Sequence, residues 1–284
     1  KGFMTPVSRS LRSIEFLWLL VALVVSVASL SSVAYLADRM QRAFERDAKQ
    51  LIASDALIQS DQALPALFAK EAQSRGLKIA QTIVFPTMSS VPKQSKLVAL
   101  KAVTDAYPLR GSLKVSVDGV AKGVPVKSIP EPGTVWVDPA LLPSLNAKVG
   151  DLLSLGQSKF KIAGVITQEL DKGAGFLNFA PRVMMRESEL AATQLIGFGS
   201  RVTYRFLIAG SESGVSDYVV WANQQIADQK LRGVKVEGVD NAQPLMRATL
   251  DRAEKFLSLV AMLTAMIAAV AMALASKIYM SKKS

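Results

Sequence analysis

The sequence predicts an α+β membrane protein in which two transmembrane helices flank a large mixed α/β domain. Two uncharged apolar runs, Phe16–Leu36 and Phe256–Ser276, each reach the length of about 20 helical residues that a bilayer core needs. The polar region between them, from about residue 38 to 255, repeats a strand–helix–strand pattern near its start and near its end. The runs predict the spans, and the repeated pattern predicts the domain.

The two spans are assigned to residues 14–37 and 256–279. A pair of buried helices in a soluble protein is the alternative, but such helices rarely run so long without a charge. A cleaved signal peptide is a second alternative for the first span, whose apolar run exceeds the usual ~7–15 residues. We therefore expect both runs to be transmembrane helices.

Basic residues set the predicted orientation of the spans. They flank the outer ends of both spans, at Lys1, Arg9, Arg12, Lys277, Lys282 and Lys283. The positive-inside rule then places both termini in the cytoplasm, with 1–13 as an N-terminal interfacial helix and 280–284 as the start of a cytoplasmic segment. Arginines on the domain side weaken this count, although a long domain translocates largely regardless of its charge.

The composition removes several kinds of chemistry. The chain has no histidine and no cysteine, which excludes histidine metal sites, Ser–His triads, disulfides and thiol catalysis. The sequence GSESG at 210–214 carries Glu212 where a nucleophile elbow needs serine, and no phosphate-loop motif occurs. Carboxylates such as Asp151 and Glu169 are interpreted as ordinary surface charges. We expect no catalytic, metal or cofactor site in this chain, and an energy source in a partner.

The net charge of +11 is spread along the chain. Binding to nucleic acid needs basic residues clustered on one face. The distribution therefore indicates a basic membrane protein and gives no nucleic-acid patch.

Each span continues into a predicted helical stalk, at residues 38–52 and 244–255. Apolar residues recur at helical spacing in both segments, at Met40, Phe44, Leu51, Met246 and Leu250. Two such stripes favour a short antiparallel pair in which the stalks contact each other. The alternative is that each stalk packs on the domain.

The second span carries a row of small residues on one face. Alanine recurs every four positions, at Ala261, Ala265, Ala269 and Ala273. Small residues at this spacing let helix backbones approach closely in a membrane. We expect further helices nearby, from a second copy or from a continuation of the polypeptide.

The central domain is predicted to have two subdomains. A β-α-β pattern in residues 53–110 and another in 200–243 indicate one split subdomain of ferredoxin-like type. Residues 111–199 are rich in strands and turns, and they predict a β-rich insert. Short helices are expected to begin at Asp138 and near Glu187.

One segment of the insert, LDKGAGFLNFAPRV, places apolar side chains after two glycines. These are Phe176, Leu177 and Phe179, which predict a loop that contacts a hydrophobic substrate or a partner. The alternative is that they fill the insert's own core.

Three strings carry a family resemblance: KLVALKAVTDAYPLRGSLKV, PGTVWVDPALLPSLNAKVGDLLSLG and DKGAGFLNFAPRV. With the order of span, stalk, split domain, stalk and span, the chain resembles the MacB/FtsX-like permeases of ABC transporters, and among them the YbbP group. The resemblance covers essentially all 284 residues. It implies that the chain is the N-terminal portion of a longer permease whose coupling helix lies beyond Ser284.

The resemblance also implies a mechanism and partners. A partner ATPase homodimer uses ATP and Mg in the cytoplasm, and the stalks carry its motion to a periplasmic domain in a mechanotransmission-type transporter of the bacterial inner membrane. Related systems move lipids, lipoproteins, peptides or hydrophobic compounds, or regulate cell-wall hydrolases. The YbbP group is associated with a periplasmic esterase, which implies export or extraction of hydrophobic or lipid-like molecules from the membrane lipid.

A receptor with two spans and a ligand-binding periplasmic domain fits the same layout. The sequence after Ser284 discriminates the two classes, since a receptor continues into long helical signalling modules and a permease into a short amphipathic helix and more spans. A membrane-anchored hydrolase is disfavoured by the missing histidine, which leaves serine–lysine chemistry as the open route for that class.

Overall fold

The computed structural model describes residues 52–117, 122–169, 171, 172, 179–197 and 199–238, with scattered helical positions between 21 and 49 and between 252 and 273. The chain divides into two compact units. One combines Lys1–Glu45 with Pro244–Ser284, and the other is Arg46–Gln243. The second unit contains all the strands of the described residues.

The strands of this unit are β1 Ala56–Ser60, β2 Lys78–Val91, β3 Gln94–Val103, β4 Leu113–Ser116, β5 Val124–Val126, β6 Thr134–Val137, β7 Leu152–Leu155, β8 Ser158–Gln168, β9 Arg182–Arg186, β10 Thr203–Ala209 and β11 Lys235–Gly238. Its helices are α1 Ala66–Ser74, α2 Leu141–Leu145, α3 Leu190–Thr193 and α4 Glu212–Asp228, and a 3-10 turn covers Glu187–Glu189. The predicted mixture of α and β structure is confirmed.

One part of the sheet has the strand order β11-β1-β10-β2, with every neighbouring pair antiparallel. The first β-α-β unit supplies β1, α1 and β2, and the second supplies β10, α4 and β11. This interleaved order is that of a split β-α-β pair. The two halves of the sequence share one sheet here, although more than a hundred residues separate β2 from β10.

The strands β2, β3, β9, β6, β8 and β7 pair in a ring, because β7 pairs with β8 on one side and with β2 on the other. Closure of this kind removes free edges from a small sheet. The ring is a six-stranded barrel, and β2 belongs both to it and to the open part of the sheet. The strands β2 and β3, which precede residue 110, pair in the barrel with strands that follow it, so one sheet includes strands from both sides of the predicted boundary. The subdomain boundaries 53–110, 111–199 and 200–243 stay predictions.

Three apolar clusters follow from the alternation of the strands. The barrel interior contains residues such as Phe85, Leu100 and Ile162. A second cluster joins outward-facing barrel residues such as Met184 with Leu207 of the open part. The third lies between the helices α1 and α4 and the strands they cover. The outward face of β3, which points to the second cluster, positions the site described below.

The start of α4 explains the motif GSESG. The Ser211 hydroxyl accepts a hydrogen bond from the Gly214 N–H at 3.2 Å, which makes Ser211 the N-cap of the helix. Glu212 occupies the first turn, where a negative charge is favourable. The motif is therefore a helix start.

The predicted spans at 14–37 and 256–279 fall largely outside the described residues. The described positions within them are helical, and side chains such as Val24, Leu259 and Ile267 are more than half exposed. In the described part of the chain, no helix has both the length and the apolar character that crossing a bilayer needs. The two spans and their orientation stay predictions.

Candidate functional site

A fully buried lysine lies at the centre of the candidate site. Lys101 is on β3, where its register partner is Met184 of β9, and its side chain has no exposed surface. Because strand side chains alternate, Lys101 points away from the barrel interior that its neighbour Leu100 occupies. A buried ammonium needs partners to offset its lost hydration.

Two carboxylates and a phenol surround this ammonium. Lys101 Nζ lies 2.8 Å from Glu169 Oε1, 2.8 Å from Asp171 Oδ2 and 2.8 Å from the hydroxyl oxygen of Tyr107. The Tyr107 hydroxyl donates to Asp171 Oδ1 at 2.5 Å. Glu169 and Asp171 follow the end of β8, so this strand delivers both carboxylates to the outward face of β3.

Two arginines complete the network. Arg182, the first residue of β9, donates from Nε to Glu169 Oε2 at 2.9 Å and from Nη2 to the Lys172 carbonyl at 3.3 Å. Arg205 of β10 donates from Nη1 to the Asp171 carbonyl at 3.0 Å. We call Lys101, Tyr107, Glu169, Asp171, Arg182 and Arg205 the ion network. It connects β3, β9 and β10 to the segment after β8.

The network keeps both carboxylates ionised. Burial alone raises the pKa of Glu169, but the charges of Lys101 and Arg182 outweigh it and hold that pKa below its usual value. Burial likewise raises the pKa of Asp171, and Lys101 and Arg205 reverse the effect, so its pKa is also lowered. Burial, together with the two carboxylates, raises the pKa of Tyr107 well above its ordinary value. The phenol therefore stays a hydrogen-bond donor at neutral pH.

The ion network fixes both ends of the predicted contact loop. Asp171 and Lys172 precede the loop and Arg182 follows it, and the Ala99 N–H on β3 donates to the Pro181 carbonyl at 2.9 Å. Phe179, in the part that the structure describes, is 87% exposed. It therefore does not fill the insert's core. Phe176 and Leu177 lie outside the described residues, and the contact role of all three stays a prediction.

A second charge pair lies at the start of β1. Asp55 is 8% exposed and accepts from Arg110 Nε at 3.0 Å, from Arg110 Nη2 at 2.6 Å and from the Gly210 N–H at 3.0 Å. The ammonium of Lys49, a helical residue, is 3.9 Å from Asp55. Arg110 also donates its backbone N–H to the Ala53 carbonyl at 2.9 Å. These contacts join the segment 49–55 to the segment after β3.

The structure describes only some of the predicted stalk and helix-packing residues. The stalk residues Met40, Phe44, Leu51, Met246 and Leu250 lie outside the described residues, as do Ala261 and Ala265. Ala269 and Ala273 are described, helical and exposed. The contact between the stalks and the packing of the alanine row stay predictions.

The ion network holds the segment after β8 to the sheet, and both of its carboxylates are paired with cationic side chains. Among the described residues, no group of three or more metal-ligating side chains is placed to hold an ion. Asp151 is part of a turn, where it accepts a hydrogen bond from the Lys148 N–H. The expectation that Glu169 is a surface charge was wrong, because this side chain is completely buried between Lys101 and Arg182.

Sequence reasoning missed the ion network, although a signal was present. Lys101 interrupts the apolar run LVALKAV, at a position where a buried strand has no room for an unpaired charge. That position demanded a carboxylate partner from elsewhere in the chain. The strings that carry the family resemblance contain Lys101, Tyr107, Arg110, Asp171 and Arg182, whereas Asp55, Glu169 and Arg205 lie outside them.

One known protein is similar to this chain over nearly the whole length of the chain. No protein-family model matches the chain. The predicted resemblance is nevertheless confirmed, because over nearly its whole length the chain is related to the permease of an ABC transporter. That relative is described as an uncharacterized ABC transporter permease, YbbP, of Escherichia coli (strain K12), and the identity is 31% over 271 residues. The match covers 95% of this chain and 32% of the relative, so the chain spans about a third of the relative's length.

Solved structures give a weaker likeness. The periplasmic region of MacB from Actinobacillus actinomycetemcomitans is 9% identical with a TM-score of 0.46, and the match covers 70% of this chain and 95% of that one. The extracellular domain of the noncanonic ABC-type transporter YknZ from Gram-positive bacteria is 10% identical with a TM-score of 0.42, covering 64% and 100%. The relationship to ABC permeases rests on the sequence match.

Proposed function

We propose that the chain is part of the permease subunit of a mechanotransmission-type ABC transporter. A separate ATPase homodimer, with ATP and Mg²⁺, supplies the energy, and the permease converts it into a conformational change of the domain 46–243. The single observation that carries this proposal is the 31% identity to an ABC transporter permease over 95% of the chain. The absence of histidine and of a phosphate-loop motif supports a division of labour in which a partner hydrolyses ATP.

The proposed location is the bacterial inner membrane, with both termini of this portion in the cytoplasm and the domain 46–243 in the periplasm. The two uncharged runs and the basic residues outside them support this arrangement. The membrane-side helices then carry movement between the cytoplasmic ATPase and the periplasmic domain.

The proposed substrate class is a hydrophobic or lipid-like molecule taken from the membrane. Phe179 supports it, because a large apolar side chain that is 87% exposed is available for contact with such a molecule. The ion network also supports it, since the network holds Asp171 and Arg182, on either side of the segment that presents Phe179, to the sheet. A periplasmic esterase is proposed as a further partner on the resemblance to the YbbP group alone.

The test begins with the full-length permease that contains this chain, purified from membranes with an affinity tag. We expect an ABC ATPase to co-purify, ATP hydrolysis to depend on that subunit, and a hydrophobic substrate to change its rate. The chain of 284 residues, expressed alone, is the matched control and is expected to hydrolyse nothing. Co-purification of signalling proteins in place of an ATPase would contradict the proposal and favour the receptor alternative.

A further inference from the structure

The two charge clusters of the domain are connected by one short segment of the chain. Tyr107, at its start, is bonded to the ion network. The segment between Lys172 and Arg182, which includes Phe179 and is flanked by this network, is called the Phe179 loop. Arg110, three residues later, forms the pair with Asp55 beside the helical residue Lys49. Residues 107–110 therefore contact both Ala53 and Asp55, which precede β1, and the ion network that holds Asp171 and Arg182.

Each end of this segment is held by hydrogen bonds to charged groups. Tyr107 is completely buried, and both of its hydroxyl bonds involve charged groups. Arg110 donates from two nitrogens to one carboxylate, the fork geometry that makes arginine–carboxylate pairs strong and directional. Hydrogen bonds to charged groups are also stronger than neutral ones, so each end of the segment resists displacement.

The helix end and the domain share further bonds at Asp55. The Ser54 N–H donates to the Lys49 carbonyl at 3.2 Å, and Ala53 has a positive φ of 55°, which ends the helical path there. The Asp55 N–H donates a hydrogen bond to the Ile208 carbonyl, and the Asp55 carboxylate accepts one from the Gly210 N–H. Movement of the segment 49–55 therefore acts directly on Arg110 and on the end of β10.

We propose that residues 107–110 are a coupling segment that links the helix-to-strand junction at Asp55 to the Phe179 loop at Asp171. Arg110 and Tyr107 are its positioning residues, and the direction of influence runs both ways, because a coupling free energy between two sites is reciprocal. The inference rests on the proposed function for its biological role, but the physical link is a property of this chain alone.

Hydrogen exchange of the detergent-solubilised chain tests the link without any partner. Arg110→Lys keeps the charge and loses the two-nitrogen fork. We expect it to speed exchange of the backbone amides of Phe179, Ala180 and Arg182 at least about threefold, although Arg110 does not contact these residues, by raising the population of locally open states. Tyr107→Phe, which removes only the hydroxyl, tests the link from the other end. It is expected to speed amide exchange of residues 52–55, where Ala53 and Asp55 are hydrogen-bonded to Arg110. Residues 152–155 of β7 are the internal reference.

Arg75→Lys is the matched control variant. Arg75 also uses Nε and Nη2 on one carboxylate, that of Glu71, but this pair joins α1 to its own C-cap residue and does not touch either charge cluster. It is expected to leave exchange at 179–182 and 52–55 unchanged. If Arg110→Lys is too unstable to purify, Tyr107→Phe carries the test. Unchanged exchange at the remote end in a folded variant overturns the coupling segment.

A second arm separates this inference from the proposed function. In the full-length permease with its ATPase, Arg110→Lys is expected to reduce the response of ATP hydrolysis to substrate at least about threefold, while Arg75→Lys leaves it intact. If the wild type shows no such response, the proposed function fails and the exchange result alone decides the link. If the wild type responds and Arg110→Lys responds equally, the coupling segment is overturned and the permease assignment stands.

Discussion

The ammonium of Lys101 lies 2.8 Å from Oδ2 of Asp171, and neither side chain has more than a trace of exposed surface. Seventy residues separate them in the chain. The contact exists because β8 ends beside β3, and it holds the start of the loop that presents Phe179. The same lysine also binds Glu169, so one residue anchors both carboxylates.

Replacing Lys101 is expected to be strongly destabilising. Lys101→Met leaves Glu169 and Asp171 buried without their shared cation, and breaking a buried pair in this way costs about 3–5 kcal/mol. Urea unfolding of the detergent-solubilised chain measures the loss. Lys235→Met is the control, because the Lys235–Glu237 pair is on the surface and its loss is expected to change stability by about 0.5 kcal/mol or less. Equal losses in the two variants would show that the network contributes no more than a surface pair.

The domain is expected to lose stability in acid. The folded-state pKa values of Glu169 and Asp171 lie below their ordinary values of 4.5 and 3.8. Their contribution is therefore complete above about pH 4.5 and is lost as the pH falls through the lowered folded values. Melting temperatures from pH 7 to pH 3 check this. Glu169→Gln is expected to melt lower at pH 7 and to show a smaller decline in acid; a decline of the same size would remove Glu169 as a cause.

Phe179 is expected to matter for function and not for folding. Its side chain is 87% exposed, so Phe179→Ser should change the unfolding free energy by about 0.5 kcal/mol or less. The same variant of the full-length permease should lose the change in ATPase rate that a hydrophobic substrate causes. Phe160→Ala, in the barrel core, is the contrast and should cost about 3–5 kcal/mol. A full substrate response in Phe179→Ser would remove Phe179 from the contact surface.

The alanine row is expected to pack against another helix. Ala269→Leu places a larger side chain on the small-residue face and should reduce recovery of assembled permease, because close backbone approach is lost. Val270→Leu, at the next position and on a different face, is the control and should assemble normally. Size-exclusion chromatography of the purified permease in detergent measures both. Normal assembly of Ala269→Leu would contradict helix packing at the alanine row and indicate that this face contacts lipid.

The sequence predicted the elements of the domain better than its contacts. The strands around Ile58, Phe85 and Phe206 and the helix α4 were recognisable, because apolar periodicity and turn residues are local signals. The ring closed by β7 was not predicted, since pairing of Ser89 with Leu155 is a long-range contact that no local pattern encodes. Glu169 was misread for the same reason: a carboxylate in TQEL reads as exposed until Lys101 is known to lie opposite.

The central claim, that movement of the membrane-side helices is coupled to ATP hydrolysis, is tested most directly at Leu250. Leu250→Pro breaks the predicted second stalk at a cost of about 3 kcal/mol or more, whereas Leu250→Ala keeps the helix and controls for the lost side chain. The measurement is the substrate-dependent ATPase rate of the full-length permease purified with its ATPase. We predict that Leu250→Pro assembles but no longer responds to substrate, while Leu250→Ala retains most of the response. An undiminished response in the assembled proline variant would contradict the account and make the stalks passive tethers.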